Sequence, residues 1–274
     1  MKISIGYSPC PNDTFIFYAL THNKLTSDLV FRETLKDVET LNLLALEKKF
    51  DVTKASFHGF GFLRDDYCLL HSGSALGRGC GPLIVARKRI DQQELGSKKI
   101  AIPGKMTTAY LLLQLFAPGA KNIVEMPFDR IMNAVSFGTV DAGLIIHESR
   151  FTYPQYGLVK IMDLGEWWEN ETGLPTPLGG ILARRDLGAT VIAKIDGLIR
   201  QSMEYAFGHP EETVEYIKKN AQELDNRVIE QHIRLYVNDY TRDLGDGIAA
   251  VEKLMKTAEG LNLIPHSEKT IFVD

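Results

Sequence analysis

The sequence contains a strand–loop–helix unit twice, which restricts the folds that the chain can adopt. In the first copy, the alternating segment Lys2 to Gly6 predicts a strand, followed by the turn-rich loop Ser8 to Asp13 and the apolar stretch Phe15 to Leu20. In the second copy, a strand at Lys99 to Ile102 leads through a short loop into a helix at Thr107 to Phe116. Two α/β lobes of similar build would explain this recurrence.

The first unit continues with alternating strands and helices. A strand is predicted near Leu29 to Leu35, a helix from about Val38 to Lys48 capped by Asp37, and a strand near Val52 to Ala55. This order favours a parallel sheet covered by helices. After Ala189 the pattern becomes helical, with amphipathic runs at 191–207, 210–220, 228–236 and 247–259.

Two similar apolar segments bracket the middle third of the chain. Ile84 to Lys88 resembles Ile181 to Arg185, and a chain that leaves one lobe, builds another and returns needs two linking segments of this kind. We therefore predict two hinge crossover strands, with residues 1–84 plus 184–274 forming lobe one, residues 85–183 forming lobe two, and a ligand cleft between them. The alternative is two ordinary buried strands.

Composition and charge exclude several functional classes. The 274 residues include 31 basic and 35 acidic side chains, so no excess of positive charge would attract a nucleic-acid backbone. The N-terminal residues lack the apolar stretch of an export signal, and no apolar run reaches the about 18–20 residues of a membrane-spanning helix. Three cysteines without metal-ligand spacing fit a reducing compartment. We expect a cytoplasmic protein with no nucleic-acid or membrane partner, and the oligomeric state stays open.

Polar side chains that follow the predicted strands are candidates for ligand binding, because ligands bind beyond the carboxyl ends of strands in open α/β sheets. The candidates are Asn12 and Asp13; Lys54, Ala55 and Ser56; and Thr107, Thr108 and Ala109. The last group begins a helix, where free N–H groups and the helix dipole suit a carboxylate or phosphate. The structural alternatives are that Asn12 or Asp13 and the threonines are simple helix caps, and that Lys54 is a solvated surface group.

His147 is the strongest candidate for catalysis. It follows the apolar run Ala142 to Ile146, so it lies where a buried strand opens into a loop, and an imidazole can exchange protons near neutral pH. The alternative is a histidine that only hydrogen-bonds a backbone carbonyl at a strand end. The other six histidines are predicted to lie in helices or surface loops without a functional role. Nucleotide-binding and zinc motifs such as GxGxxG, CxxC and HExxH are absent from the sequence, so neither a metal nor a cofactor is expected.

Three long segments resemble one known family, and they are Ser8 to Phe17, Asp37 to Asn42 and Gly143 to Pro154. The family is that of the 1,4-dihydroxy-6-naphthoate synthases of the futalosine route to menaquinone. The likeness spans nearly the whole chain and includes Gly77 to Gly79 and Gly173 to Pro175. It implies an α/β fold with two lobes, of the type II periplasmic-binding-protein kind.

The resemblance also implies an activity and site residues. It implies a carbon–carbon lyase that converts cyclic dehypoxanthine futalosine into 1,4-dihydroxy-6-naphthoate and dihydroxyacetone, without a metal or redox cofactor. The histidine of the family's His-Glu-Ser-Arg motif is a proton acceptor and corresponds to His147. The substrate contacts carried over by motif are the segments 54–56 and 107–109, with Asn12 and Asp13 as an addition. The substrate would be a small carboxylate.

Two rival functions stay open from the sequence. One is a cytoplasmic or exported protein that only binds a small carboxylate, since this fold is widely used in transport. The other is the related chorismate dehydratase of the same pathway, which is similar in fold but is not expected to carry the His-Glu-Ser-Arg stretch.

Overall fold

A computed structural model describes residues 1–221 and 225–273, and it contains two β-sheets. The first sheet has the order β2-β1-β3-β11-β4, with β5 paired to β11. Strands β1 and β2, and β1 and β3, run parallel, whereas β11 is antiparallel to β3, β4 and β5. Its strands are β1 (Lys2–Tyr7), β2 (Val30–Leu35), β3 (Val52–Ser56), β4 (Tyr67–Leu69), β5 (Ala75–Gly77) and β11 (Thr176–Arg184).

The second sheet is built from the middle of the chain, in the order β10-β6-β9-β7-β8. Strand β7 is parallel to β8 and β9, and β6 is antiparallel to β9 and β10. Its strands are β6 (Leu83–Ala86), β7 (Ile100–Ile102), β8 (Ile123–Glu125), β9 (Ala142–Ile145) and β10 (Val159–Asp163). The parallel strands β1, β2 and β3 of the first sheet were predicted from alternating strand and helix patterns. In both sheets, parallel strands place the loops that follow them at the carboxyl edge.

Helices cover the two sheets. They are α1 (Pro11–Thr21), α2 (Val38–Leu46), α3 (Phe57–Leu63), α4 (Thr108–Phe116), α5 (Phe128–Ser136), α6 (Ser149–Thr152), α7 (Leu164–Thr172), α8 (Ala189–Gly208), α9 (Pro210–Asn220), α10 (Asn226–Tyr236), α11 (Asp239–Arg242) and α12 (Ile248–Gly260). Short 3-10 helices occur at Gln92–Ser97, Tyr153–Tyr156, Arg185–Leu187 and Gly245–Gly247. In the part of the chain that the structure describes, none of these helices has the length and apolar character needed to cross a bilayer.

Of the helix caps predicted for α1 and α2, the one for α2 is confirmed and the one for α1 is wrong. Asp37 caps α2 as predicted, since its side chain accepts a hydrogen bond from the Thr40 N–H. The prediction of Asn12 or Asp13 as the cap of α1 is wrong, because α1 already begins at Pro11 and Cys10 occupies the N-cap position. Proline suits a first helical position, where its missing N–H costs little. The Asn12 and Asp13 side chains are therefore available for other contacts.

The two similar segments, 84–88 and 181–185, fall in different sheets. Strand β6 hydrogen-bonds to β9 and β10, and β11 hydrogen-bonds to β3, β4 and β5. The chain passes from the first sheet to the second between β5 and β6, and it returns between α7 and β11. The division into lobes at residues 84 and 184 stays a prediction.

Apolar side chains connect the two sheets through a common core. One cluster of buried residues includes Ala55 and Leu182 of the first sheet together with Ile84 and Ile100 of the second. Burying a leucine or isoleucine side chain of this cluster stabilises the folded state by about 1.5–3 kcal/mol. The same buried apolar cluster thus supports the loops at the carboxyl edges of both sheets.

The backbone just before β6 lies very close to the backbone at the start of α7. A Cβ atom added at Gly81 would lie 2.3 Å from the Cα and N atoms of Gly165, which no side-chain rearrangement can relieve. We expect Gly81→Ala to lower the free energy of unfolding by about 1–3 kcal/mol, as overpacking does. Urea denaturation followed by circular dichroism measures this change.

Gly197 provides the matched control, because it lies inside α8 and an added Cβ would meet no atom within 4 Å. Gly197→Ala is expected to raise the free energy of unfolding by about 0.5–1 kcal/mol, since alanine has less backbone freedom to lose. Equal stability of the two variants would contradict the close approach at Gly81.

Candidate active site

The carboxyl ends of β1, β3, β7 and β9 face one cavity with an empty volume of about 660 Å³. All the site residues predicted from the sequence line it: Asn12, Asp13, Lys54, Ala55, Ser56, Thr107, Thr108, Ala109 and His147. These residues come from four segments that are far apart in the chain. The topology brings them together because parallel strands present their following loops at the same edge.

Asp13 and Lys54 form a buried ion pair on the wall of the cavity. The Lys54 Nζ lies 3.1 Å from Asp13 Oδ1, and both side chains are almost fully buried. Asp13 Oδ2 also accepts hydrogen bonds from the backbone N–H and the hydroxyl of Ser8. Lys54 therefore is not the solvated surface group of the structural alternative. A paired charge of this kind is stable in a buried site because its partner compensates for lost hydration.

The hydrogen bonds of Asn12 connect this ion pair to a buried histidine. Asn12 Nδ2 donates to Asp13 Oδ1 at 2.9 Å, which leaves Asn12 Oδ1 to accept from His232 Nε2, also at 2.9 Å. An amide has one donor group and one acceptor group, so this arrangement places the His232 proton on Nε2. Burial lowers the pKa of His232 well below its usual value, and the ring is therefore neutral.

His147 lies at the mouth of the β9 loop in a left-handed backbone conformation, with φ of 55°. Such a conformation costs about 1–3 kcal/mol and is typical of functional sites. Its half-buried ring packs against Phe128 at 5.3 Å between centroids and is nearly parallel to the His232 ring at 6.2 Å.

The environment of His147 keeps its imidazole neutral. Burial lowers the pKa of His147 to about 4, with the Asp13 carboxylate opposing this shift and the Lys54 ammonium adding to it. At neutral pH the ring therefore has an unprotonated nitrogen. A neutral imidazole beside a cavity can accept a proton from a bound molecule.

The start of α4 forms another part of the cavity wall. Thr107 is the N-cap of this helix, since its hydroxyl accepts a hydrogen bond from the Tyr110 N–H, and it also donates to the Gly104 carbonyl. Thr108 donates its hydroxyl to the Leu178 carbonyl. First-turn N–H groups have no acceptor within a helix, so those of Thr108 and Ala109 are placed to bind an anion. Thr107 thus caps the helix, Thr108 does not, and both threonines line the cavity.

Sequence reasoning missed a clamp from α2 that holds the loops of the two sheets together. The Glu39 carboxylate accepts a hydrogen bond from the Met106 N–H at 3.0 Å. Asn42, which is fully buried, accepts from the Ser56 N–H at 2.9 Å and donates to the Met106 carbonyl. The only signal in the sequence was that both residues fall in the family motif Asp37 to Asn42.

Six histidines were expected in helices or surface loops, and two of them, His58 in α3 and His232 in α10, lie in helices as expected but are buried. His232 is fully buried behind the cavity, and His58 is 5% exposed with its N–H facing the Thr108 hydroxyl. Tyr236, one turn after His232 in α10, lines the cavity itself. The amphipathic pattern of α10 predicted a buried face, but not that this face packs against α1.

Comparisons with known proteins give a consistent result. Residues 3–260 match the protein family described as menaquinone biosynthesis. A 1,4-dihydroxy-6-naphthoate synthase of Thermus thermophilus is 51% identical over 272 residues, covering 99% of each chain. A protein of the same name from Streptomyces coelicolor is 46% identical over 269 residues, covering 96% of this chain and 95% of that one.

The fold is also found in more distant proteins. The Candida albicans CA3427 gene product, described as having the generic periplasmic binding protein fold, superposes with a TM-score of 0.68 at 15% identity. The superposition covers 98% of this chain and 92% of that chain. At this identity the likeness concerns the fold alone. The predicted α/β fold of the periplasmic-binding-protein kind is confirmed.

Proposed function

The chain belongs to the menaquinone biosynthesis family, and we propose that it is an enzyme with 1,4-dihydroxy-6-naphthoate synthase activity. The reaction is the cleavage of cyclic dehypoxanthine futalosine to 1,4-dihydroxy-6-naphthoate and dihydroxyacetone, which makes the enzyme a carbon–carbon lyase. The observation that carries the proposal is the position of His147. A neutral imidazole faces the same cavity as groups able to hold an anion, in a chain half identical to a protein of that name.

His147 is the proposed general base. It accepts a proton from the bound cyclic substrate, after which a carbon–carbon bond breaks and the sugar-derived fragment leaves as dihydroxyacetone. Formation of the aromatic naphthoate ring supplies the driving force. A positioned base contributes about 10²- to 10⁴-fold to such a rate. The left-handed backbone at His147 supports this role, because it directs the ring from the strand end toward the cavity at the expense of local strain.

The start of α4 is the proposed site for the substrate carboxylate. The N–H groups of Thr108 and Ala109 and the positive end of the helix dipole favour an anion there, by about 0.3–1 kcal/mol or about 2 kcal/mol when partly buried. Asp13 and Lys54 balance each other's charge, so their proposed contribution is to hydrogen-bond polar groups of the substrate. The clamp of Glu39 and Asn42 holds this helix start against Ser56.

We place the reaction in the cytoplasm. The three cysteines, Cys10, Cys68 and Cys80, are all buried and free, as fits a reducing compartment. The substrate is a small carboxylate.

Mass spectrometry of the purified protein incubated with cyclic dehypoxanthine futalosine tests the proposed activity. We expect 1,4-dihydroxy-6-naphthoate and dihydroxyacetone to appear in equal amounts, and no change when the protein is incubated with chorismate. Tight binding of intact substrate without product would favour the small-carboxylate binding protein. Dehydration of chorismate would favour the related dehydratase.

A further inference from the structure

Three side chains with metal-binding atoms converge beside the cavity, and one of them, His147, lines it. They are Cys10, His147 and Glu148, and the thiol sulfur, an imidazole nitrogen and a carboxylate oxygen all lie within 4.8 Å of one another. In tetrahedral zinc sites, bond lengths of about 2.0–2.3 Å place neighbouring ligand atoms about 3.3–3.6 Å apart. Small rotations of these three side chains would bring their ligand atoms to this spacing. Sulfur, nitrogen and oxygen are together the ligand types that zinc uses.

A fourth donor atom lies next to the Glu148 carboxylate of this group. The hydrogen bond from His232 Nε2 to Asn12 leaves a lone pair on Nδ1, and among the described residues this nitrogen has no hydrogen-bond partner although the side chain is fully buried. It lies 3.9 Å from Glu148 Oε2. An unprotonated nitrogen and a carboxylate oxygen that face each other in a buried site form an arrangement that a cation between them would stabilise.

The charges of these groups also suit a divalent cation. A thiolate, a carboxylate and neutral imidazoles would balance two positive charges, which a buried ion requires. The nearby Lys54 ammonium does not upset this balance, because the Asp13 carboxylate already neutralises it at 3.1 Å. Binding would release the Cys10 thiol proton to solvent and form a metal–sulfur bond without any change in oxidation state.

The geometry points to an inhibitory zinc site formed by Cys10, His147 and Glu148, with His232 Nδ1 as a further donor. Bound zinc would occupy the His147 nitrogen that the proposed base needs, so it acts as an inhibitor and not as a cofactor. The site lies at the junction of the loops after β1 and β9, which also carry the two most distinctive sequence motifs. Only the inhibitory effect rests on the proposed function; metal binding does not.

Titration of the chelator-treated protein with Co²⁺ tests the site directly. Co²⁺ takes the place of zinc and gives an absorption band in the near ultraviolet when a thiolate binds it. We expect this band to saturate at one Co²⁺ per chain, and we expect added Zn²⁺ to abolish it by displacement. Absence of the band in the folded wild-type protein would overturn the proposal.

Cysteine variants identify the ligand. Cys10→Ser should lose the band, whereas Cys68→Ser should keep it, because Cys68 is an equally buried free thiol in β4 of the first sheet. Glu148→Gln should weaken Co²⁺ binding by at least about 10-fold, since even supporting groups around metals change affinity by about 10- to 100-fold. Circular dichroism of each variant verifies the fold. A band that survives in Cys10→Ser would show that the metal binds elsewhere.

A turnover assay adds the functional consequence. Zn²⁺ should inhibit product formation and a chelator should restore it, with each variant compared with its own metal-free rate. Cys10→Ser should tolerate at least about 10-fold more Zn²⁺ than Cys68→Ser. If the Co²⁺ band appears as expected but the substrate is not converted at all, the metal site stands and the proposed activity fails.

Discussion

Replacing His147 by asparagine is expected to lower turnover of the cyclic substrate by about 10²- to 10⁴-fold while leaving the fold intact. The loss follows from the removal of the neutral imidazole that faces the cavity. Asparagine is the appropriate substitute because it tolerates the left-handed backbone at this position, where φ is 55°. Steady-state kinetics with the mass-spectrometric assay measures the effect, and most of it should fall on kcat.

His266→Gln is the matched control for the loss of an imidazole. The His266 side chain is 76% exposed and lies outside the cavity, so its removal should leave turnover within about twofold of the wild-type rate. Near-normal turnover by a folded His147→Asn variant would mean that another group is the base.

Asp13→Ala is expected to lower the free energy of unfolding by about 3–5 kcal/mol, because it leaves the buried Lys54 ammonium without its carboxylate. The remaining acceptor for Lys54 among the described residues is the Gly73 carbonyl at 3.4 Å. The total free energy of unfolding of a protein is about 5–15 kcal/mol, so the expected loss is a large fraction of it. Urea denaturation measures it, and the double variant Asp13→Ala, Lys54→Met should recover part of the loss since no charge is left unpaired.

Glu212→Ala provides the comparison at the surface. Glu212 forms an ion pair with Lys24 at 2.9 Å, but both side chains are about one-third exposed. Breaking this pair should cost about 1 kcal/mol or less. A loss in Asp13→Ala no larger than that in Glu212→Ala would mean that water reaches the Lys54 ammonium in the folded protein.

Much of the fold and of the cavity could be predicted because local patterns determine them. Alternation of strands and helices implied parallel pairing, and parallel pairing determines which loops meet at one edge of a sheet. Because Lys54, Thr107 and His147 lie at or after the ends of predicted strands, the sequence alone predicted that they lie near one another. All three line the cavity. Helices α8, α9, α10 and α12 also follow the four predicted amphipathic runs closely.

The missed features depend on packing between distant elements. The periodicity of α10 indicates that His232 faces inward, but not that it meets Asn12 on α1, 220 residues earlier. The clamp of Glu39 and Asn42 likewise requires α2 to approach the Met106 loop, which no local signal encodes. The start of α1 was misplaced because Asn12 and Asp13 are good caps in isolation. Prolines on both sides of Cys10 outweighed that preference.

The left-handed backbone at His147 has a consequence for engineering more heat-resistant forms of this protein. Glycine adopts that conformation without a steric penalty, so His147→Gly would relax the loop after β9. A screen that selects only for survival at high temperature would therefore favour variants without the imidazole, which are more stable but inactive. Libraries made for thermal tolerance should hold this codon constant.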